Sequence, residues 1–136
     1  MKVKLGVFVV GFSLLCSTGG LVAHHSFAAE YDRNRPFTVT GVVTKFEWTN
    51  PHARFYVDVV DEKGTVTNWN MELASPSALA RNGWTSRTLK VSDQVTVKGF
   101  GGKVVATRGN PTSVVLADGR SLFVSRPIDD DAPGAR

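Results

Sequence analysis

Three histidines are the residues of this 136-residue chain best suited to a specific chemistry: His24 and His25 in "AHHSF" (23–27), and His52 in "WTNPH". If the bond after Ala23 is cut, His24 becomes the first residue, and its α-amine and ring nitrogen can chelate one metal ion together. Both groups must be unprotonated; an α-amine of pKa about 8 and an imidazole of about 6.5 allow this near neutrality under a metal's pull. Amine and imidazole nitrogens suit Cu(II) best among the common divalent ions, so the cofactor these ligands suggest is copper. His52 is the distant candidate for a third ligand, with His25 beside the first. The same residues admit a plainer reading, in which His24 and His25 are a solvated end and His52 is a turn residue with a hydrogen bond.

Everything about the first pair depends on processing. Met1-Lys2-Val3-Lys4 is followed by LGVFVVGFSLLCSTGGLVA (5–23), which carries no charge. A basic head, an apolar stretch and a small-residue end form the pattern of a secretory signal peptide, so residues 1–23 are expected to be removed and the protein to be periplasmic or secreted. The stretch is close to the ~20 apolar residues that span a bilayer, which leaves an uncleaved anchor, and with it membrane attachment, as the alternative. Ser17, Thr18, Gly19 and Gly20 soften its last third and favour cleavage. Ala23 precedes one candidate bond, with Leu21 bulkier than ideal; Ser26-Phe27-Ala28 offers a competing site that would remove both histidines. Lipid attachment at Cys16 is a third option, although Leu15 stands where a small residue is expected. Cys16 is the only cysteine, so the mature chain would hold no disulfide.

Charge excludes one class of partner. Without Lys2 and Lys4 the 16 basic residues become 14 against 12 acidic ones, and the balance falls from +4 to +2. A nucleic-acid binder is expected to be far more basic.

The elements that must position these residues are mostly strands. Residues 24–36 are polar and non-periodic and read as an N-terminal arm. FTVTGVVTKFEW (37–48) is rich in β-branched residues, with Gly41 suggesting a bulge or bend. It ends at Thr49-Asn50-Pro51, where proline restrains its neighbour. ARFYVDVV (53–60) alternates Phe55, Val57 and Val59 against Arg54, Tyr56 and Asp58, and Asp61-Glu62-Lys63-Gly64 is a turn. TVTNWNMEL (65–73) then sets Trp69, Met71 and Leu73 against Asn68, Asn70 and Glu72. Ser75 can cap a two-turn helix that starts at Pro76 and stops at Asn82-Gly83. A fourth strand is expected around Gln94–Lys98, then GFGG (99–102) as a loop and one or two further strands in 103–124, with Asp118-Gly119 as a hairpin turn. Residues 126–136, which include IDDDAPGAR, read as a disordered tail. Trp48, Trp69 and Trp84 read as packing anchors.

Geometry makes a demand on the metal reading. Residues 37–48 extend about 40 Å at ~3.3 Å per residue, and the arm is about as long. The arm would have to run back along the first strand to bring His24 to His52.

Strand, strand, strand, short helix, strand, strand, with a glycine-bent first strand and "LKVSDQVTVKG" leading into the fourth, resembles an OB-fold over residues 37–125. That implies a mainly β, five-stranded OB-like β-barrel with one short helix between strands 3 and 4. "AHHSF", "EWTNPHARFYVDV", "NWNMELASPSALARNGWT" and "LADGRSLF" together resemble a family of small exported bacterial proteins catalogued as a domain of unknown function. That resemblance implies export and an OB-like domain, and carries no reaction, cofactor or catalytic residue.

An OB-like domain binds on the face of strands 2–3 and at the loops joining strands 1–2 and 4–5. Here those places hold Tyr56, Asn68, Asn70 and Glu72 on the face, Asn50 and His52 in one loop, and Phe100 and Lys103 in the other. The face also reads as the solvated outer side of a one-sided sheet. It has a single aromatic, Tyr56, beside Asp58 and Glu72, which does not fit the stacking platform that nucleic acid needs. Enzyme signatures are lacking: no mature cysteine, no glycine-flanked serine elbow, and a GFGGK that misses the Ser/Thr and spacing of a phosphate loop. The expectation is an exported binding or accessory protein whose ligand the sequence does not identify, with copper binding through an N-terminal histidine as its sharper form and a protein–protein interaction module without a small ligand as the alternative. A metal-dependent enzyme or a nucleic-acid-binding domain ranks last.

Overall fold

The structure, a computed structural model, describes residues 27–124. It is mainly β. A single helical turn, α1 (Phe27–Glu30), leads into β1 (Tyr31–Glu47), β2 (Arg54–Val60), β3 (Val66–Glu72), the short helix α2 (Pro76–Arg81), β4 (Gln94–Gly102), β5 (Arg108–Leu116) and β6 (Ser121–Phe123). The sheet order is β3-β2-β1-β4-β5-β6, and a short parallel pairing of β3 with β5 closes the first five strands into a ring. The expected five-stranded OB-like arrangement is therefore present, helix included, with β6 added as a hairpin on β5.

β1 is long enough to serve two partners. It pairs with β4 from Tyr31 to Val42, and with β2 from Val42 to Glu47. The strand thus begins six residues before Phe37, and the last six residues of the segment that reads as an arm in sequence belong to it, with Tyr31 and Pro36 paired to β4. Gly41 is needed for contact and not for a bulge: a Cβ there would lie 2.3 Å from the Asp58 carbonyl oxygen, while the register shift falls between Val43 and Lys45.

GFGG corrects the sequence reading. Residues 99–102 form the end of β4, paired with Pro111, Asn110 and Gly109 of β5, and the turn lies beyond them. Glycine is required because the backbones crowd; a Cβ on Gly99 would sit 2.2 Å from the Asn110 carbonyl oxygen.

Alternation buries one side of each strand. Val43, Phe55, Val57, Met71, Val95, Val97 and Val114 are inaccessible or nearly so, joined by Leu73 and by Leu79 of α2. Ser75 caps α2 by accepting from the Ala78 N–H, and Gly83 takes the positive φ that ends it. Trp84 is buried and donates from Nε1 to the Phe123 carbonyl at 3.1 Å, which ties β6 to the core. Trp48 and Trp69 pack on the core from its margin, Trp69 against Phe37 with ring centres 5.0 Å apart. Gly64 and Gly119 take positive φ in the two turns assigned to them from sequence. Among the described residues no helix is long and apolar enough to cross a membrane.

Candidate functional site

His52 follows the turn between β1 and β2, and backbone bonds hold its segment against the end of β3. Ala53 N–H donates to the Ala74 carbonyl at 3.1 Å, and Leu73 N–H returns to Ala53 at 2.9 Å. The ring lies over that junction with Nδ1 3.0 Å from the Leu73 carbonyl oxygen and 3.5 Å from Glu72 Oε1. Both neighbours only accept, so Nδ1 is the donor to them, and in a neutral ring donating this way the lone pair is on Nε2. The side chain is about half exposed (48%).

Glu72 departs from the solvated face expected of it. It is 8% exposed, and Oε2 accepts from Arg54 Nη2 at 2.7 Å, Arg108 Nη2 at 2.7 Å and Tyr31 Oη at 3.1 Å. Its burial comes from ring closure. β3 meets β5 at Asn70–Arg108, and the start of β1 crosses beside them. Burial pushes the Glu72 carboxyl up, but the hydrogen bond from Arg108, the charge of Arg54 and the Tyr31 hydroxyl outweigh it, and the group sits below the usual carboxylate range. The same burial and the adjacent Glu72 charge push the Tyr31 phenol well above its ordinary value, against the opposing pull of Arg108. Arg108 also pairs with Glu30 Oε2 at 2.8 Å, and its guanidinium lies 5.9 Å from the centre of the Tyr31 ring.

The N-terminal segment is thereby fastened to the end of the fold that carries His52. Phe27 stacks on Tyr31 at 5.6 Å and meets Phe100 edge-on at 5.9 Å, with the Arg33 guanidinium 5.5 Å from its ring. Lys103 donates from its backbone N–H to the Glu30 carbonyl and from Nζ to the Ala28 carbonyl, and Arg35 donates to the Gly102 carbonyl at 3.0 Å. Phe100 and Lys103, assigned from sequence to a ligand-binding loop, hold the arm instead.

Three of the remaining face residues are engaged by side chains of neighbouring strands. Tyr56 donates to Glu47 Oε2 at 3.1 Å and has Lys45 over its ring. Asn68 donates to Asp58 Oδ1 at 2.7 Å and to Thr44 at 3.3 Å, and Asn70 Oδ1 accepts from Arg54 at 3.4 Å. Asn50 lies exposed in the bend before His52. The structure thus brings His52, Glu72 and Asn70 together and leaves Tyr56 and Asn68 in a separate polar patch. His24 and His25 lie outside the described residues. Among those described, no three His, Cys, Asp or Glu side chains gather where they could hold a metal ion.

Sequence reasoning missed Tyr31, Arg54, Arg108 and Glu30 as members of this cluster. The Arg54–Glu72 pair had a signal, because the turn at 61–64 sets a hairpin register in which the two stand opposite. Tyr31 and Arg108 had none, since they arrive through long-range closure. A search of curated proteins finds no match. The family model that covers residues 12–111, well over half of the sequence, is that of the family of unknown function DUF6152, and the chain belongs to it.

Proposed function

We propose that the protein is exported, loses residues 1–23, and serves in the periplasm or outside the cell as a binding or accessory protein for Cu(II). The metal is held by the amine and ring of His24, with His52 Nε2 as the third ligand and His25 alongside. One observation carries this reading: Nδ1 of His52 is held by the Leu73 carbonyl beside Glu72, an arrangement that in the neutral ring puts the lone pair on Nε2. That is the arrangement in which an outer partner fixes the tautomer of a ligating histidine.

Two further features support it. Tyr31 and His52 approach the two oxygens of one carboxylate, so the start of β1 and the histidine loop meet at the same place. His24 stands three residues before Phe27, a reach of about 10 Å when extended. Phe27 itself packs on Tyr31 and Phe100, contacts that cleavage after Ala28 would discard. The interaction-module alternative is weaker on the face assigned to it, because Tyr56, Asn68 and Asn70 are already hydrogen-bonded to Glu47, Asp58 and Arg54.

The test is to measure the intact mass of the exported protein and to titrate Cu(II) into residues 24–136 with a free amine. A start at His24 and one-to-one binding are expected, with binding lost on acetylating the amine and weakened at least tenfold in His52→Ala, about 1.4 kcal/mol. A mature start at Ala29, or an affinity that neither change alters, overturns the reading.

A further inference from the structure

The two oxygens of Glu72 are used unequally. Oε2 accepts from Arg54 on β2 at 2.7 Å, Arg108 on β5 at 2.7 Å and Tyr31 on β1 at 3.1 Å. Among the described residues Oε1 meets a single partner, Nδ1 of His52 at 3.5 Å. The two oxygens share one rigid, planar group, so three donors from three strands that hold Oε2 also fix where Oε1 lies.

Arg108 leaves Oε1 alone. A guanidinium commonly grips a carboxylate through two parallel N–H bonds, one to each oxygen. Here Nη2 of Arg108 bonds Oε2 and is shared with Glu30 Oε2 at 2.8 Å, while Nε is buried and makes no hydrogen bond among the described residues. Oε1 therefore keeps its negative charge toward the histidine loop. At 3.5 Å its contact with Nδ1 is electrostatic more than a short hydrogen bond, and the Leu73 carbonyl at 3.0 Å supplies the shorter one.

We propose that Glu72 is a positioning residue for His52, whose clamped carboxylate keeps the proton of the neutral ring on Nδ1 and the lone pair on Nε2. A negative charge beside Nδ1 favours the ring form that presents N–H there, and Leu73 alone offers only a neutral acceptor. The role is a product of ring closure, since Arg108 and Tyr31 reach Glu72 only where β3 meets β5 and the start of β1 passes. For a ligating His52, a consequence that rests on the copper reading, Glu72 becomes the outer partner that sets the third ligand.

The experiment reads the tautomer in the metal-free protein, from ¹⁵N shifts of the His52 ring at a pH where it is neutral. In Glu72→Gln the two arginines require an acceptor, so the amide oxygen turns to them and the NH₂ group faces Nδ1. The ratio of Nδ1–H to Nε2–H is expected to fall at least about tenfold, as for loss of a charged acceptor. Tyr31→Phe removes a bond to Glu72 without placing a donor beside His52, and its ratio should match the wild type. Where far-UV circular dichroism shows Glu72→Gln unfolded, Glu72→Asp stands in for it. That variant keeps the charge between the arginines, shortens the reach to Nδ1 and should lower the ratio several-fold. An unchanged ratio in folded Glu72→Gln, or in Glu72→Asp where it stands in, assigns the tautomer to Leu73 alone and overturns the proposal. An equal fall in Tyr31→Phe overturns it too, because general loosening then explains the change. The expected fall in a protein that does not bind Cu(II) supports the positioning role and overturns only the copper reading.

Discussion

Tyr31 donates its phenolic hydrogen to Glu72 Oε2 at 3.1 Å across 41 residues of chain, and the same oxygen receives two arginines. This contact joins the first residue of β1 to the last residue of β3. It is where ring closure, the N-terminal segment and the histidine loop converge.

Removing the Glu72 charge should therefore destabilise the protein. Glu72→Gln leaves Arg54 and Arg108 facing each other without their shared counter-ion. Breaking a buried pair costs about 3–5 kcal/mol, and the partial exposure of both arginines reduces this to about 2 kcal/mol. Urea unfolding should show a lower midpoint with an unchanged slope.

Acid should act through the same residue. The Glu72 carboxyl is depressed in the folded state, so its contribution is present above the unfolded value of about 4.3 and is lost as pH falls through the folded value. Stability measured from pH 6 down to pH 2 should drop more steeply in the wild type than in Glu72→Gln. Parallel curves would remove Glu72 from the acid limb.

Alkali should act through Tyr31. Its phenol is raised on folding, so the folded state holds the proton after the unfolded state has released it, near pH 10. Stability should fall above about pH 10, and Tyr31→Phe should flatten that fall while costing about 1 kcal/mol at neutral pH for the lost hydrogen bond.

The close approach at Gly99 gives a steric prediction. Gly99→Ala sets a methyl 2.2 Å from the Asn110 carbonyl oxygen and should cost about 1–3 kcal/mol or more as β4 and β5 separate. Gly119→Asn, at a positive φ with nothing within 4 Å, should cost less than 1 kcal/mol in the same thermal unfolding assay.

The tautomer of His52 is directly measurable. With Nδ1 held on the Leu73 carbonyl, ¹⁵N shifts of the neutral ring should show the proton on Nδ1. A proton on Nε2 would remove the lone pair on which the copper reading relies.

Local chemistry was legible in the residues. Alternation in 53–60 and 65–73 determined both strands of the first hairpin and which side is buried, since successive side chains must point oppositely. Ser75-Pro76 and Asn82-Gly83 marked the ends of α2, and Gly64 and Gly119 marked turns, because each supplies a cap or a φ that few residues provide. The glycines of 99–102 misled, because glycine marks a tight turn and a crowded strand equally well until the opposing backbone is known. What only the tertiary structure decided was the fate of Glu72. Its position in the alternation assigns it to the outer face, yet pairing of β3 with β5 and the crossing of Tyr31 bury it among partners from β1, β2 and β5. Side-chain alternation is a property of one strand and can be read along it; closure is a property of the whole ring, and the residues it brings together carry no mark of one another in sequence.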